Sequence, residues 1–152
     1  MSTDPRFAYR ETAARAASPL GRVVLLYEQA IHDLAGALSA LNNGDIELRT
    51  QKTSHALLVI GQLQACLDLE RGGEVAHNLD RFYDLVRKRL LEAQVNSSAA
   101  ILKEQIDLLL SVRSAWIELE QQDARVAPEV PEKPAIAAGE SPAPKPPSRW
   151  RA

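Results

Sequence analysis

The sequence predicts an all-α protein, an antiparallel up-down-up-down four-helix bundle with a short N-terminal segment and a disordered proline-rich C-terminal tail. Three observations carry this. Apolar residues recur with a helical period from residue 18 to about residue 122. Three breaker segments, Asn42-Asn43-Gly44-Asp45, Arg71-Gly72-Gly73 and Asn96-Ser97-Ser98, cut that stretch into four. None of the nine prolines lies between Leu20 and Val126, whereas seven crowd between Pro128 and Pro147. The chain of 152 residues therefore divides into an N-terminal segment (1–17), a bundle (18–122) and a tail (123–152).

Each helix has a start signal. Ser18 caps the first, with Pro19 at the position where a missing N–H costs nothing. Asp45 caps the second, its carboxylate also suiting the positive end of the helix. Gly72 and Gly73 end the second and release the chain into the third near Glu74. Ser97 or Ser98 caps the fourth. At about 100° per residue, Val23, Leu26, Tyr27, Ala30, Ile31, Leu34, Leu38 and Leu41 share one face of the first helix. Ala56, Leu57, Ile60, Leu63 and Leu67 do so in the second. The third has Val75, Leu79, Phe82, Tyr83, Val86, Leu90 and Ala93; Leu102, Leu109, Val112 and Trp116 lead the fourth. Connections of roughly 2–4 residues force neighbouring helices to be antiparallel.

The tail has seven prolines, seven alanines and few large apolar side chains. It cannot bury enough apolar surface to offset the entropy of ordering. Two readings fit its end, Lys145-Pro146-Pro147-Ser148-Arg149-Trp150-Arg151: a solvated tail, or a docking motif anchored by Trp150.

Composition excludes several functions. A net charge of −2 gives no general electrostatic reason to bind nucleic acid or anionic lipid. No apolar run reaches the ~18–20 residues that cross a membrane, and residues 1–15 lack the apolar core of a secretory signal. The expected location is cytoplasmic. A single cysteine, Cys66, rules out an internal disulfide framework and reads as an inert, partly buried thiol. His32, His55 and His77 fall on three different helices, with no helical metal-site spacing. Glu74-Val75-Ala76-His77 is one copy of a motif that a di-iron bundle needs twice. No phosphate loop or nucleophile elbow occurs. The expectation is a non-enzyme with no cofactor and no metal.

What stands out is an apolar surplus. In the fourth helix Ile101, Leu108 and Leu119 lie on one side of the core stripe, and Ile106, Leu110 and Ile117 on the other. Together they span about 200° of the wheel, more than one core can bury. In the second helix Leu58 and Leu69 point away from the core face, with Leu48, Val59 and Cys66 flanking it. Leu25 sits alone on the polar side of the first. The surplus can be scattered surface residues, can lie under the N-terminal segment with its Phe7 and Tyr9, or can form a groove for a partner helix.

Two stretches go beyond generic bundle chemistry. One is Tyr9-Arg10-Glu11-Thr12, followed by Ala17-Ser18-Pro19 and Val24-Leu25-Leu26-Tyr27-Glu28-Gln29-Ala30-Ile31. The other runs from Leu67-Asp68-Leu69-Glu70-Arg71-Gly72-Gly73-Glu74-Val75-Ala76-His77-Asn78-Leu79 through Phe82-Tyr83 to Arg89-Leu90-Leu91-Glu92-Ala93. Over residues 9–120, including Arg113-Ser114-Ala115-Trp116, the chain resembles the flagellin export chaperone family, FliS. The resemblance implies a cytoplasmic helical bundle that binds the disordered C-terminal region of flagellin, prevents its premature polymerisation and brings it to the flagellar export gate. It implies that Tyr9 belongs to a segment over the client groove or facing the gate. It implies a mostly structural role for Tyr27 and Ile31, backbone geometry for Gly72 and Gly73, and local bonding for Asn78. The long tail departs from the family pattern. The candidate partner-binding residues are Phe7, Tyr9, Leu25, Leu58, Leu69, Ile106, Leu110 and Ile117. The alternative is a bundle that dimerises or signals, a homodimer without a flagellin client.

Overall fold

The computed structural model describes residues 4–126, which form five helices and no strand. They are α1 (Pro5–Ala16), α2 (Pro19–Asn42), α3 (Ile46–Ala65), α4 (Gly73–Asn96) and α5 (Ala99–Val126). The sequence-based reading anticipated the last four; α1 is an addition, made from the aromatic N-terminal segment. Asp4 starts it, accepting from the Arg6 N–H at 3.0 Å, with Pro5 in the first turn. The proline-rich stretch and Trp150 lie outside the described residues.

The caps explain the boundaries. Ser18 Oγ accepts from Gly21 N at 2.9 Å, Asp45 Oδ1 from Leu48 N at 3.0 Å, and Ser98 Oγ from Ile101 N at 3.1 Å. Ser97 closes α4 in the left-handed region, at φ 49°. The connection between α3 and α4 differs from expectation. α3 stops at Ala65, so Cys66–Gly72 forms a seven-residue linker in place of a two-to-four-residue turn. Gly73 has a φ of +61°, and a Cβ on Gly72 would lie 2.5 Å from that of Ala76. Both glycines are thus required by backbone geometry. Asn78 bonds locally, its Oδ1 accepting from Arg81 one turn on.

The core is apolar and drawn from α2 to α5. Tyr27, Leu34, Val59, Ile60, Leu63, Tyr83, Val86, Leu90, Leu102 and Leu109 are buried. Ala30, Ala37, Ala56 and Ala93 fill the spaces between them. Three expectations are corrected. Val75 is 68% exposed: it lies in the first turn of α4, one turn before Leu79 on the same side of the helix, where nothing packs over it. Cys66 is exposed, since the helix that would have carried it inward has already ended. Val59, placed on the flank, is buried in the core.

Side-chain bonds fix the helices against one another. Gln94 Nε2 donates to Thr50 Oγ1 at 2.7 Å, whereas Gln64 Nε2 donates to Asp80 Oδ1 at 3.0 Å and Asp84 Oδ1 at 2.8 Å. Rising numbers in α3 meet falling numbers in α4, so these two run antiparallel. Arg89 joins Glu104 on α5 at 2.7 Å. Between α2 and α3 the Asp33 carboxylate is 2% exposed. Its Oδ2 lies 2.5 Å from His55 Nδ1 and its Oδ1 accepts from Gln29 at 3.1 Å. Burial of that carboxylate is tolerable because both oxygens have partners. His55, one of the candidate metal ligands weighed above, is thereby assigned to structure.

At the centre the hydroxyls of Tyr27 and Tyr83 are 2.7 Å apart, tying α2 to α4. Burial pushes both phenols above their ordinary value of 10.0. For Tyr83 the neighbouring Tyr27 adds to the rise; for Tyr27 the bonds to Tyr83 and Trp116 oppose it. Two outcomes follow. Tyr27→Phe or Tyr83→Phe leaves one buried hydroxyl without its partner and should cost about 1–3 kcal/mol in urea unfolding, with the double variant losing less than the sum. Both phenols stay neutral in either state below pH 10.0, so their contribution is fully present there. Above it the unfolded chain releases protons that the folded one retains. Stability should then fall by up to about 1.4 kcal/mol per pH unit per tyrosine, and the double variant should show a shallower fall.

Candidate functional site

With the core filled from α2 to α5, the remaining apolar side chains form surface. The eight candidates fall on α1, α2, α3, α5 and the linker before α4. On α5, Ile106, Leu110 and Ile117 recur at spacings of four and seven, which puts them on one side of the helix. Ile106 packs partly against the core, Ile117 is half-buried and Leu110 exposed. Arg113 stands in the same row and points it at α2: its Nη2 and Nε donate to Glu28 Oε2 at 2.6 and 3.1 Å. The row therefore borders the seam between α5 and α2.

Leu58 occupies a different surface. It is 63% exposed and lines a shallow furrow with Ser54, Leu57, Gly61, Gln62 and Ala65 of α3 and Arg87 of α4. The furrow exists because two small residues, Gly61 and Ala65, follow Leu57 and Leu58 at one-turn and two-turn spacings. Arg87 closes it, held by Gln64 Oε1 at 3.0 Å. The apolar count flagged Leu58 but missed Gly61 and Ala65. Their signal was the absence of bulk beside a leucine pair, which a search for surplus apolar residues does not register.

The other candidates are dispersed. Leu69 is partly exposed in the Cys66–Gly72 linker. Leu25 is half-buried on α2, one turn beyond Gly21, where α1 approaches. Phe7 and Tyr9 are exposed on α1 and, two residues apart on a helix, do not share a face. Tyr9 lies in a shallow depression with Pro5, Arg6 and Arg10. Sequence reasoning overlooked exposed Leu85, Leu91 and Val95 on α4. It also overlooked an ionic network at the α2–α5 seam: Glu28 Oε2, already bound by Arg113, lies 3.8 Å from Arg15 Nη1, while Arg15 Nε donates to Glu120 at 3.3 Å. Among the described residues no group of three or more histidine, cysteine, aspartate or glutamate side chains could hold a metal. No helix among them is long and apolar enough to cross a membrane.

Among the described residues, fold and surface together define an all-helical protein with a filled core, a shallow furrow on α3 and a partly exposed apolar row on α5. Comparison with known proteins gives the particular family. The description "Flagellar protein FliS" matches residues 2–123. Three relatives carry the name flagellar secretion chaperone. That of Pseudomonas aeruginosa, FliSB, is 37% identical over 106 residues, 70% of this chain and 84% of its own. That of Salmonella typhimurium is 34% identical over 110 residues, 72% and 82% of the two chains. That of Vibrio cholerae is 32% identical over 104 residues, 68% and 76%. The chain belongs to the FliS family of flagellar secretion chaperones.

Surface and core leucines of α3 should differ sharply in what a charge does to them. Leu58→Asp should change unfolding free energy by no more than about 0.5 kcal/mol. Leu63→Asp, five residues on and buried, should prevent folding. Circular dichroism with urea unfolding distinguishes the two.

Proposed function

We propose that this protein is a cytosolic flagellin export chaperone. It binds the disordered C-terminal region of flagellin, prevents premature polymerisation, and delivers the subunit to the flagellar type III export apparatus. In this reading α2 to α5 form an up-down-up-down four-helix bundle, and α1 is the N-terminal segment beside the client surface. Family membership supports the role, and one observation carries the mechanism. Leu110 on α5 and Leu58 in the α3 furrow remain exposed although the core is already full, and each is flanked by apolar side chains that are only partly covered, Ile106 and Ile117 on α5 and Leu57 on α3.

The physics of the client fits such a surface. A disordered segment that orders on binding must recover its entropy through a large buried area. Rows on α5 and α3 offer that area to an extended, wrapping chain more readily than a single pocket would. Amphipathic client helices would bury their apolar side chains against Leu110, Ile117 and Leu58. In this reading Leu25 and Leu69 add separate apolar contacts away from these rows, and Phe7 and Tyr9 on exposed α1 meet the client or the export gate. The near-neutral charge accords with binding that is mainly apolar.

Isothermal titration calorimetry of the full chain with a flagellin C-terminal fragment tests this. A complex of about 1:1 is expected, with the negative heat-capacity change of apolar burial. Leu110→Asp should weaken it at least about tenfold, the equivalent of 1.4 kcal/mol, with helicity and melting nearly unchanged. No binding at micromolar concentrations would overturn the reading. Loss of folding in Leu110→Asp would move that residue into the core and remove the α5 row from the site. A stable dimer that flagellin does not dissociate would favour the dimerisation alternative.

A further inference from the structure

We infer that the interior framed by Arg49, Thr53, Gln94 and Gln105 binds a short string of ordered water molecules, which completes the hydrogen bonding of these four side chains. The inference rests on the interior of the protein and is independent of which polypeptide it carries.

Four polar side chains are buried among the described residues: Asp33, Arg49, Thr53 and Gln105. Asp33 has partners for both oxygens. Each of the other three retains an atom with no partner, Arg49 Nε, Thr53 Oγ1 and Gln105 Oε1, and Gln94 Oε1 is a fourth. Keeping such atoms dry is costly, and native interiors satisfy nearly all of them.

The four lie near one another. Gln94 bonds Thr50 and Arg49 bonds Ser97, so the first turns of α3 meet the last turns of α4. Arg49 and Thr53 are one turn apart and share a face. Arg89 bonds Glu104, which sets Gln105 roughly level with Lys88 of α4. On the same scale Thr53 is roughly level with Leu91 and Arg49 with Val95. The groups therefore fall within about 10 Å along the helix axes. Beside them α2 and α4 bury Ala37, Ala40 and Ala93, whose methyl groups reach only a short way inward.

The bonding chemistry selects the ligand. Thr50 gives its hydroxyl hydrogen to the Ile46 carbonyl at 2.9 Å, so it accepts from Gln94 Nε2. Glu104 likewise accepts from Gln105 Nε2 at 3.3 Å. The atoms left over on both glutamines are thus carbonyl oxygens, which only accept, whereas Arg49 Nε only donates. A guanidinium repels a cation, and two carbonyl oxygens repel an anion. Water accepts and donates, and suits the whole set. It also solvates Arg49, which forms no ion pair among the described residues. The guanidinium otherwise has Ser97 Oγ at 3.0 Å and the negative end of α4, which has no basic residue in its own last turn.

Water–protein cross-relaxation, measured by NMR on the isotope-labelled full chain, tests this at the Arg49 Nε–H. Contact with water held longer than the protein tumbles is expected, shown by NOE and ROE of opposite sign. Urea unfolding of Thr53→Val, Gln105→Met and the double variant gives a second measure, since both substitutions keep the side-chain volume close to the natural one. Each single substitution should raise the unfolding equilibrium constant about five- to thirtyfold, because it takes a bond from the water and leaves the other groups short. The double variant should lose less than the product of the two, which loss of the Gln105–Glu104 bond alone would not produce. A dry, unbonded hydroxyl or carbonyl would give the reverse, as an apolar replacement relieves its desolvation. The proposal is overturned if the Arg49 Nε–H shows no such water contact. It is also overturned if either single substitution leaves the unfolding constant unchanged or lowers it, or if the two losses multiply independently.

Discussion

The hydrogen bond between Tyr27 and Tyr83 sets the geometry of the core. It joins α2 to α4, two helices that are not consecutive in the chain, and it does so with groups that cannot be left unpaired in an apolar interior. Leu34, Val59, Ile60, Leu63, Val86, Leu90, Leu102 and Leu109 contribute most of the burial but little direction, since apolar contact tolerates sliding. A hydroxyl pair does not. The ring of Phe82, 5.7 Å from that of Tyr83, and the side chain of Trp116 beside Tyr27 extend this fixed point across α4 and α5. The helix-to-helix bonds at the periphery, Gln94 with Thr50 and Asp33 with His55, then hold in one register what the centre has oriented.

The frame was legible because helices announce their ends. Ser18, Asp45 and Ser98 cap α2, α3 and α5 as their residue types require, and no proline interrupts the stretch between them. The stripes were read less well. In α2 the deepest positions include Val24, Ala37 and Ala40, while Leu38 and Leu41 sit at the margin. Close helix approach favours small side chains, and a count weighted towards leucine shifts the inferred face. Val75 failed because a first-turn residue can follow the apolar period and still have nothing above it. The end of α3 was misplaced by some five residues, since Leu67 continues the period and packs against the core from a linker. α1 escaped notice because it has no apolar stripe to detect; it is helical by virtue of the Asp4 cap and Pro5 and is placed by polar bonds.

The candidate surface shows the same division. A wheel count recognises that α5 carries more apolar side chains than one core can use, and it puts Ile106, Leu110 and Ile117 on one side. It cannot show that Arg113, in the same row, turns that side towards α2. Nor can it find a furrow made by the absence of side chains at Gly61 and Ala65. Chemistry that depends on excess can be read from composition. Shape that depends on small residues appears only when neighbouring helices are in place.

Cys66 ends α3 one residue beyond the furrow rim at Ala65 and is exposed, although its residue type suggested burial. It is the chain's sole cysteine, so the protein carries one native thiol for site-specific attachment of a fluorophore beside a candidate docking surface, and no residue need be added or removed. The same position brings a handling requirement. With no second thiol in its own chain, air oxidation can join it only to another molecule, so a covalent pair in non-reducing electrophoresis would report on storage conditions and not on a native assembly.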